Sequence, residues 1–258
     1  MTDTVAAPLI GRAVLVTGAS SGIGRAIALA TARAGADVAL TYRRNQGGAQ
    51  QLEQEIRALG RRAAVIQLDV ADDQSLRALG PAARDALGRL DVWVNNAGAD
   101  ILTGAGASLS DVERLDRLLA VDLRGTILAS WHAVEILREQ REGGVIINMS
   151  WDHVLTGMAG LNPQLFAAVK GGVLAFSKSL ARSVAPRVRV NVLAPGWIKT
   201  AFGAGLRDDA EQAVAHSAPL QRWGTPDDVA GAAVFLASPA AAFLSGQTIV
   251  VGGGVVMT

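Results

Sequence analysis

Apolar residues occur along this chain in short uninterrupted runs, and each run leads into a stretch with helical spacing. The first run starts at Val14 and passes into a glycine-rich turn that closes at Gly24. Uninterrupted apolar runs are typical of strands buried on both faces of a sheet. Beyond the turn, apolar residues recur at helical spacing from Ile27 to Ala34, and Gly35 supplies a stop. The pattern predicts a strand that passes directly into a helix.

The same alternation of strand and helix continues through the chain. The further strands that the pattern predicts begin at Asp37, Ala63, Leu90 and Gly144. Helical spacing falls between them, as from Ala49 to Leu59. Strands and helices that alternate at this spacing favour parallel strands with right-handed crossovers. We therefore predict an α/β fold: one domain over residues 1–258, a single Rossmann-like doubly wound parallel sheet with helices on both faces.

Two helices carry signals at their ends or within them. Asp72 and Asp73 are suited to cap a helix, and the Gly80-Pro81 pair should kink or interrupt it, because proline lacks a donor and clashes with the preceding turn. Asn162 and Pro163 indicate the cap and first turn of another helix that runs through Ala181.

The junction after the first strand predicts a phosphate site. The first N–H groups of a helix lack partners and lie at the positive end of its dipole, so they bind anions. Gly18, Gly22 and Gly24 permit the tight turn and close approach of a pyrophosphate. An ordinary strand-to-helix connection is the alternative. At the end of the second strand, Tyr42-Arg43-Arg44 carries no acid where an acid would favour NAD, so the sequence favours NADP(H). A solvated basic loop is the alternative.

Composition removes several classes of function. The chain has 258 residues and no cysteine, and the lack of cysteine excludes disulfides and thiolate chemistry. Its net charge of +1 gives no sign of a nucleic-acid or membrane partner. No apolar run approaches the roughly 18–20 residues that span a bilayer. No His, Asp and Glu grouping has the spacing of metal ligands, so we expect no metal. Without a signal peptide at its start, the chain is expected to be cytoplasmic.

Motifs in sequence order closely resemble those of the short-chain dehydrogenase/reductase (SDR) family. They are Thr17–Gly24 (TGASSGIG), Asp69–Val70, Asn95–Gly98 (NNAG), Asn191–Thr200, Gly224–Val229, Phe235–Ser238 and Leu244–Val251. The resemblance covers nearly the whole chain. It implies a homotetramer or homodimer that binds a nicotinamide cofactor across the carboxyl ends of its strands and acts on a small molecule.

The resemblance also implies which residues hold the cofactor. The phosphates and riboses would lie against the glycine turn, the adenine beside Asp69 and Val70, and the nicotinamide ribose near Lys170. The complete set of expected cofactor residues is Gly18, Ser20, Ser21, Gly22, Ile23, Gly24, Arg43, Asp69, Val70, Asn96, Ala97, Gly98, Lys170, Pro195, Gly196, Ile198 and Thr200.

In relatives, an asparagine, a serine, a tyrosine and a lysine reduce a carbonyl, and the tyrosine protonates its oxygen. In this sequence Lys170 is retained, but Phe166 occupies the position of the tyrosine and Asp122 that of the asparagine. Trp151 best overlays the serine, and Ser150 would reach the site after a shift of one residue. The only tyrosine of the chain lies at the end of the second strand. Loss of a general acid costs a factor of roughly 10²–10⁴, so ordinary ketone reduction is not expected.

An iminium accepts hydride without an acid at oxygen. Asp122 and Asp152 are candidate carboxylates near such a cation, and His153 is a candidate proton donor for the hydroxyl that leaves a hemiaminal. Purely structural roles for these three residues are equally open. Trp151 and Trp197 are suited to wall a bulky substrate or to pack in the core.

Three hypotheses remain from the sequence. The first is NADPH-dependent reduction of a C=N or hemiaminal group. The second is a non-redox isomerase, dehydratase or cyclase on the same scaffold, and the third is a catalytically silent nucleotide-binding scaffold.

The segment 201–219 is polar and interrupted by glycine, and we expect it to form a substrate lid.

Overall fold

A seven-stranded parallel sheet forms the centre of the protein in a computed structural model that describes residues 7–200 and 208–257. The strands are β1 (Ala13–Val16), β2 (Asp37–Tyr42), β3 (Ala63–Gln67), β4 (Val92–Asn95), β5 (Gly144–Met149), β6 (Val188–Pro195) and β7 (Thr248–Val251).

The strand order is β3-β2-β1-β4-β5-β6-β7, and every neighbouring pair is parallel. Leu15 of β1 lies beside Ala39 of β2 on one side and beside Trp93 of β4 on the other. The chain order therefore reverses between β1 and β4, which is where open parallel sheets bind ligands. This arrangement confirms the predicted fold class.

Helices cover both faces of the sheet. They are α1 (Gly22–Arg33), α2 (Gln46–Ala58), α3 (Asp73–Leu87), α4 (Gly104–Ala107), α5 (Asp111–Leu118), α6 (Gly125–Glu139), α7 (Leu161–Val184), α8 (Asp208–Ser217) and α9 (Pro226–Ala237). α1, α2 and α9 bury their apolar sides in one core, and α3, α6 and α7 bury theirs in a second core on the opposite face.

The interior of α3 differs from the sequence prediction. The helix runs through Pro81 without interruption. Gly80 allows α3 to approach α6 closely, since a methyl group there would lie 2.8 Å from Ile136 Cγ1 and 3.3 Å from the ring of Trp93. Tertiary packing thus holds the helix together where local propensity predicts a break. The predicted cap at its start is confirmed, because Asp72 accepts bonds from the N–H groups of Gln74 and Ser75.

The prediction that Asn162 caps α7 is wrong. The helix begins at Leu161, after Gly160, which has a φ of +118°. Asn162 instead accepts a bond from Arg114 at 3.5 Å, so its side chain is directed toward α5. Pro163 lies in the first turn, as predicted.

A π-helical turn, Leu119–Arg124, connects α5 to α6 and carries Asp122. Such turns insert an extra residue into a helix and often occur at functional sites. Among the residues that the structure describes, no helix is long and apolar enough to cross a membrane.

Candidate active site and cofactor cleft

A cleft of about 820 Å³ opens at the carboxyl ends of β1 and β4, where the strand order reverses. Its floor contains the turn after β1, and its walls include residues from the loops after β2, β3 and β4. The same cleft extends to Phe166 on α7. One continuous groove therefore joins the expected phosphate site to Phe166. The other expected catalytic residues lie outside its lining: Lys170, Asp122, Ser150, Asp152 and His153.

Close packing around the turn requires glycine at two of its positions. Gly18 has a φ of +65°, and a methyl group there would lie 2.9 Å from Ala97 Cα. A methyl group at Gly24 would overlap Asn96 Nδ2 and the carbonyl oxygen of Gly18. The turn therefore packs directly on the loop after β4, and side chains at these positions would force the two apart.

The start of α1 is suited to bind an anion. Ser21 precedes the helix without making a side-chain capping bond, and the first turn contains no acidic residue. The unpaired N–H groups and the positive end of the helix dipole therefore face the cleft without a competing carboxylate. Together with the close-packed glycines, this geometry fits a dinucleotide pyrophosphate.

Hydrogen bonds hold the turn against β4. Thr17 Oγ1 accepts bonds from the N–H groups of Asn96 and Ala97, both at 3.0 Å. Asn96 Nδ2 donates to the carbonyl oxygens of Thr17, at 2.9 Å, and Gly18, at 3.2 Å. The side chain of Asn96 therefore shapes the cleft from behind.

Arg43 and Asp69 form an ion pair across the adenine end of the cleft. Arg43 Nε lies 2.8 Å from Asp69 Oδ2, and the other carboxylate oxygen accepts a bond from the N–H of Ala71. The pair is half exposed, so it orients the guanidinium more than it stabilises the fold. It holds Arg43 at the cleft, where a ribose phosphate would be bound.

Most of the expected cofactor residues lie together in this cleft. Those that line it are Gly18, Ser20, Ser21, Gly22, Ile23, Gly24, Arg43, Asp69, Val70, Asn96, Ala97, Gly98 and Thr200. Pro195, Gly196, Ile198 and Lys170 lie outside its lining. Ile198 is buried and pairs with Gly224 in an isolated bridge.

The cleft also contains residues that sequence reasoning missed. They are Thr41, Asn45, Leu68, Ala99, Asp100, Ile101, Leu102, Thr103, Arg117 and Val121. Asp100 had a recognisable signal, because aspartate side chains commonly accept a bond from the backbone N–H two residues further along the chain. Asp100 Oδ1 indeed accepts bonds from Leu102 and Thr103.

Lys170 and Asp122 form a buried ion pair beside the cleft. The Nζ of Lys170 lies 2.9 Å from Asp122 Oδ1, and the two side chains are 11% and 2% exposed. Asp122 Oδ2 accepts a bond from the N–H of Ala99 at 2.8 Å, and Lys170 Nζ also donates to the carbonyl oxygen of Met149 at 3.4 Å. Both oxygens of Asp122 are therefore engaged, and its charge is compensated by the lysine.

Phe166 and Ser150 flank this ion pair from different elements. Phe166 lies one helical turn before Lys170 on α7 and lines the cleft with an apolar ring. Ser150 follows β5, is buried, and donates its hydroxyl to the carbonyl oxygen of Lys170 at 2.8 Å. Ser150 thus joins β5 to α7 and does not direct its hydroxyl proton into the cleft.

Asp152 and His153 form a second pair, in a 3₁₀ turn after β5. Asp152 Oδ1 accepts bonds from the backbone N–H of His153 at 2.7 Å and from its Nδ1 at 2.6 Å. Asp152 is fully buried, and burial raises the pKa of its carboxyl group while the hydrogen bond from His153 opposes that rise. The carboxylate thus orients the imidazole with Nδ1 toward the interior.

Aromatic rings extend from the cleft across the site. The ring centroid of Trp151 lies 6.2 Å from that of Phe166 and 4.9 Å from that of His153, on which it stacks. Trp197 lies edge-on to His153 at 6.4 Å and to Trp223 at 5.7 Å. The structure therefore brings together Phe166, Lys170, Asp122, Asp152 and His153 around an aromatic wall.

Comparison with known proteins agrees with this geometry. A family model described as Enoyl-(Acyl carrier protein) reductase matches residues 18–256. The chain belongs to the SDR family. This match and the relatives described below show that it is an SDR-type oxidoreductase.

Relatives in this family include enzymes of several activities. A 3beta-hydroxysteroid dehydrogenase 1 from Eggerthella lenta is 36% identical over 255 residues, covering 96% of this chain and 95% of the relative. An L-rhamnose 1-dehydrogenase (NAD(P)(+)) from a Sphingomonas species is 38% identical and covers 95% and 96% of the two chains. These identities do not indicate a substrate, because the two relatives act on unrelated molecules.

A solved SDR structure carries a cofactor. A short chain dehydrogenase from Burkholderia cenocepacia in complex with NADP superposes with a TM-score of 0.85 at 35% identity, covering 96% of this chain and 99% of the other. The likeness extends to the complete fold that positions the cleft.

Proposed function

We propose that this SDR protein is an NADP(H)-dependent reductase that delivers hydride to the C=N carbon of an iminium, supplied as such or formed from a hemiaminal in a bulky small molecule. The observation that carries the proposal is Phe166. It occupies the expected position of the proton-donating tyrosine, one turn before Lys170 and in the wall of the cleft.

The absence of a phenol at this position argues against ketone reduction. A ketone oxygen gains negative charge as hydride adds, and it needs a proton from a positioned acid. Tyr42 lies at the end of β2, at the adenine end of the cleft, and cannot replace Phe166. Lys170 is also neutralised by Asp122, so the site lacks an uncompensated positive charge for an oxyanion.

The chemistry of a C=N substrate fits these residues. A proton added to the hydroxyl of a hemiaminal lets it leave as water, and the nitrogen lone pair forms the C=N bond of the iminium. Bound NADPH would supply the hydride. The electrons of the C=N bond then return to nitrogen, so the amine product forms without any proton being donated to it.

The protein's own residues have distinct proposed roles. Lys170, held by Asp122, binds the nicotinamide ribose. His153 donates the proton that removes the hydroxyl of a hemiaminal, and Asp152 holds the imidazole in position through Nδ1. Ser150 positions α7 through the carbonyl oxygen of Lys170.

The preference for NADP(H) is supported by Arg43. Arg43→Ala is expected to raise the Kd for NADPH about tenfold and to leave that for NADH nearly unchanged, because only NADPH carries the ribose phosphate. Calorimetry with both cofactors measures this. Arg33→Ala removes an exposed arginine at the end of α1 and is the matched control. Equal losses for both cofactors in Arg43→Ala would contradict the assignment.

The reaction is tested by a substrate panel with the purified protein. Cyclic iminium ions and hemiaminals are expected to consume NADPH, whereas ketones of the same ring size are not. Phe166→Tyr alone is expected to leave ketone turnover low, because Asp122 still neutralises Lys170. NADPH absorbance with product analysis decides the question, and rapid ketone reduction by the wild-type protein would refute the proposal.

A non-redox reaction is a second candidate, favoured by the Asp152–His153 pair. A carboxylate that orients an imidazole is suited to proton transfer in an isomerase, dehydratase or cyclase. That reaction would form product without consuming NADPH, so the same absorbance measurement separates the two candidates.

We also propose that residues 1–258 form one domain and that the protein assembles as a homotetramer or homodimer.

A further inference from the structure

Arginines line the cofactor cleft at two places. Arg43 and Arg44 follow β2 at the adenine end, where the ribose phosphate of the cofactor is proposed to bind. Arg117 belongs to α5 and also lines the cleft. The proposed cofactor contacts lie at the first place and give Arg117 no role.

Arg117 lies toward the Phe166 end of the cleft. The next residue, Leu118, packs in the same apolar cluster as Phe166. About two turns further along the chain, Gly125 closely approaches the adenine end, since a methyl group there would lie 2.8 Å from the carbonyl oxygen of Val70. The helical segment that carries Arg117 therefore runs from the Phe166 end toward the adenine end, and Arg117 lies near its start.

The guanidinium of Arg117 is half-buried and has no ion pair or hydrogen bond among the residues that the structure describes. Glu113, one turn before it on α5, is engaged by Ser110 in the capping box of the helix. Val121, four residues after Arg117, lines the cleft as well, so this side of the helical segment is directed toward the cleft. Arg117 thus presents an uncompensated donor group to the cleft.

Asp100 is the acidic residue that lines the cleft near Arg117, and it is held by its own loop. Its Oδ1 accepts bonds from the N–H groups of Leu102 and Thr103, both at 2.9 Å, and its Oδ2 accepts the hydroxyl of Thr103. Partial burial raises the pKa of Asp100, but these hydrogen bonds and the positive charge of Arg117 together lower it. Asp100 is therefore ionised and acts on Arg117 through space without pairing with it.

We infer that Arg117 binds a carboxylate of the substrate. This inference rests on the proposed function and specifies its substrate class as iminium ions and hemiaminals that carry a carboxylate and are reduced to amino acids. Hydride still adds to the C=N carbon, and the carboxylate is unchanged by the reaction.

A carboxylate fits this site better than a phosphate. The planar fork of a guanidinium matches the two oxygens of a carboxylate in parallel hydrogen bonds. A phosphate dianion would bring a second negative charge close to Asp100, and the described lining of the cleft offers no second cation at this end.

The carboxylate site is tested by binding, with ligands that cannot accept hydride. The two ligands are N-methyltetrahydroisoquinoline with a carboxylate on the carbon beside nitrogen and the corresponding carboxamide. With NADPH-loaded protein, calorimetry is expected to give about tenfold tighter binding of the carboxylate. Arg117→Gln is expected to abolish this preference, and Arg117→Lys to retain part of it, because lysine keeps the charge without the fork. Arg141→Gln changes an exposed arginine before β5, at the opposite edge of the sheet, and should leave the preference intact.

The affinity for NADPH distinguishes a substrate carboxylate from a cofactor phosphate. Calorimetry is expected to give the same Kd for NADPH with Arg117→Gln as with the wild-type protein. A loss of NADPH affinity as large as the loss for the carboxylate ligand would overturn the inference, because Arg117 would then bind the cofactor.

Turnover gives an independent result. N-methyldihydroisoquinolinium with the same carboxylate is expected to be reduced with a kcat/KM at least about tenfold above that of its carboxamide. Equal binding of the two ligands, or a preference that survives Arg117→Gln, would overturn the inference and leave hydride transfer standing. An Arg117-dependent preference in binding without reduction of either compound would support the carboxylate site and refute the proposed reaction.

Discussion

His153→Gln is expected to lower kcat for hemiaminal substrates by roughly 10²–10⁴-fold, the usual contribution of a positioned general acid. The hydroxyl of a hemiaminal leaves only when it is protonated, and His153 is the histidine that the structure places in the turn after β5, stacked on Trp151. A preformed N-alkyl iminium has no hydroxyl to lose. Its turnover is expected to fall by less than about fivefold, because this substrate needs no proton and loses only the ring face of His153.

Two comparisons make this test specific. Asp152→Asn keeps an acceptor for His153 but removes the negative charge that stabilises a protonated imidazole, so an intermediate loss of about tenfold is expected with hemiaminals alone. His216→Gln alters an exposed histidine of α8 and serves as the control. If His153→Gln slows iminium and hemiaminal substrates equally, His153 does not act as the proton donor.

Lys170→Met is expected to lower the free energy of unfolding by about 3–5 kcal/mol, because it leaves the carboxylate of Asp122 buried without its partner. It is also expected to weaken NADPH binding, since Lys170 is the proposed ligand of the nicotinamide ribose. Urea denaturation and calorimetry measure the two effects separately. Lys178→Met changes an exposed lysine on the same helix and should do neither.

The double variant Asp122→Asn/Lys170→Met separates structure from cofactor binding. An asparagine oxygen can still accept the N–H of Ala99 without a buried charge, so most of the lost stability should return. NADPH affinity should stay low. Recovery of both properties would mean that Lys170 only balances Asp122, and a stable Lys170→Met single variant would mean that the ion pair contributes little.

The strand pattern was predictable because parallel strands are apolar on both faces. The predicted starts of β2, β3 and β5 agree with the structure, and the start predicted at Leu90 lies two residues before that of β4. The errors occurred where tertiary packing outweighs local signals. Pro81 remains inside α3 because Gly80 allows close packing on α6, and Gly160 starts α7 before Asn162.

The phosphate turn was predictable because spacing alone brings a strand, three glycines and a helix together. The pairing of Asp122 with Lys170 was not, because the two lie on elements that meet only in the folded chain. The orientation of Asp152 depends on the packing of Gly196 and Gly252, which no local pattern reveals. The predicted lid falls partly outside the described residues: 201–207 are not described, and Asp208–Ser217 forms α8.

The central claim is that a nicotinamide cleft operates here without a phenolic proton donor, on a substrate that accepts hydride unaided. Its most direct test uses NADPH deuterated at the hydride-donating carbon, incubated with the wild-type protein and either an N-alkyl cyclic iminium or the ketone of the same ring. We predict one deuterium on the former C=N carbon for each NADPH consumed, and no labelled alcohol. Efficient formation of deuterated alcohol from the ketone, or amine formation without deuterium, would contradict the account.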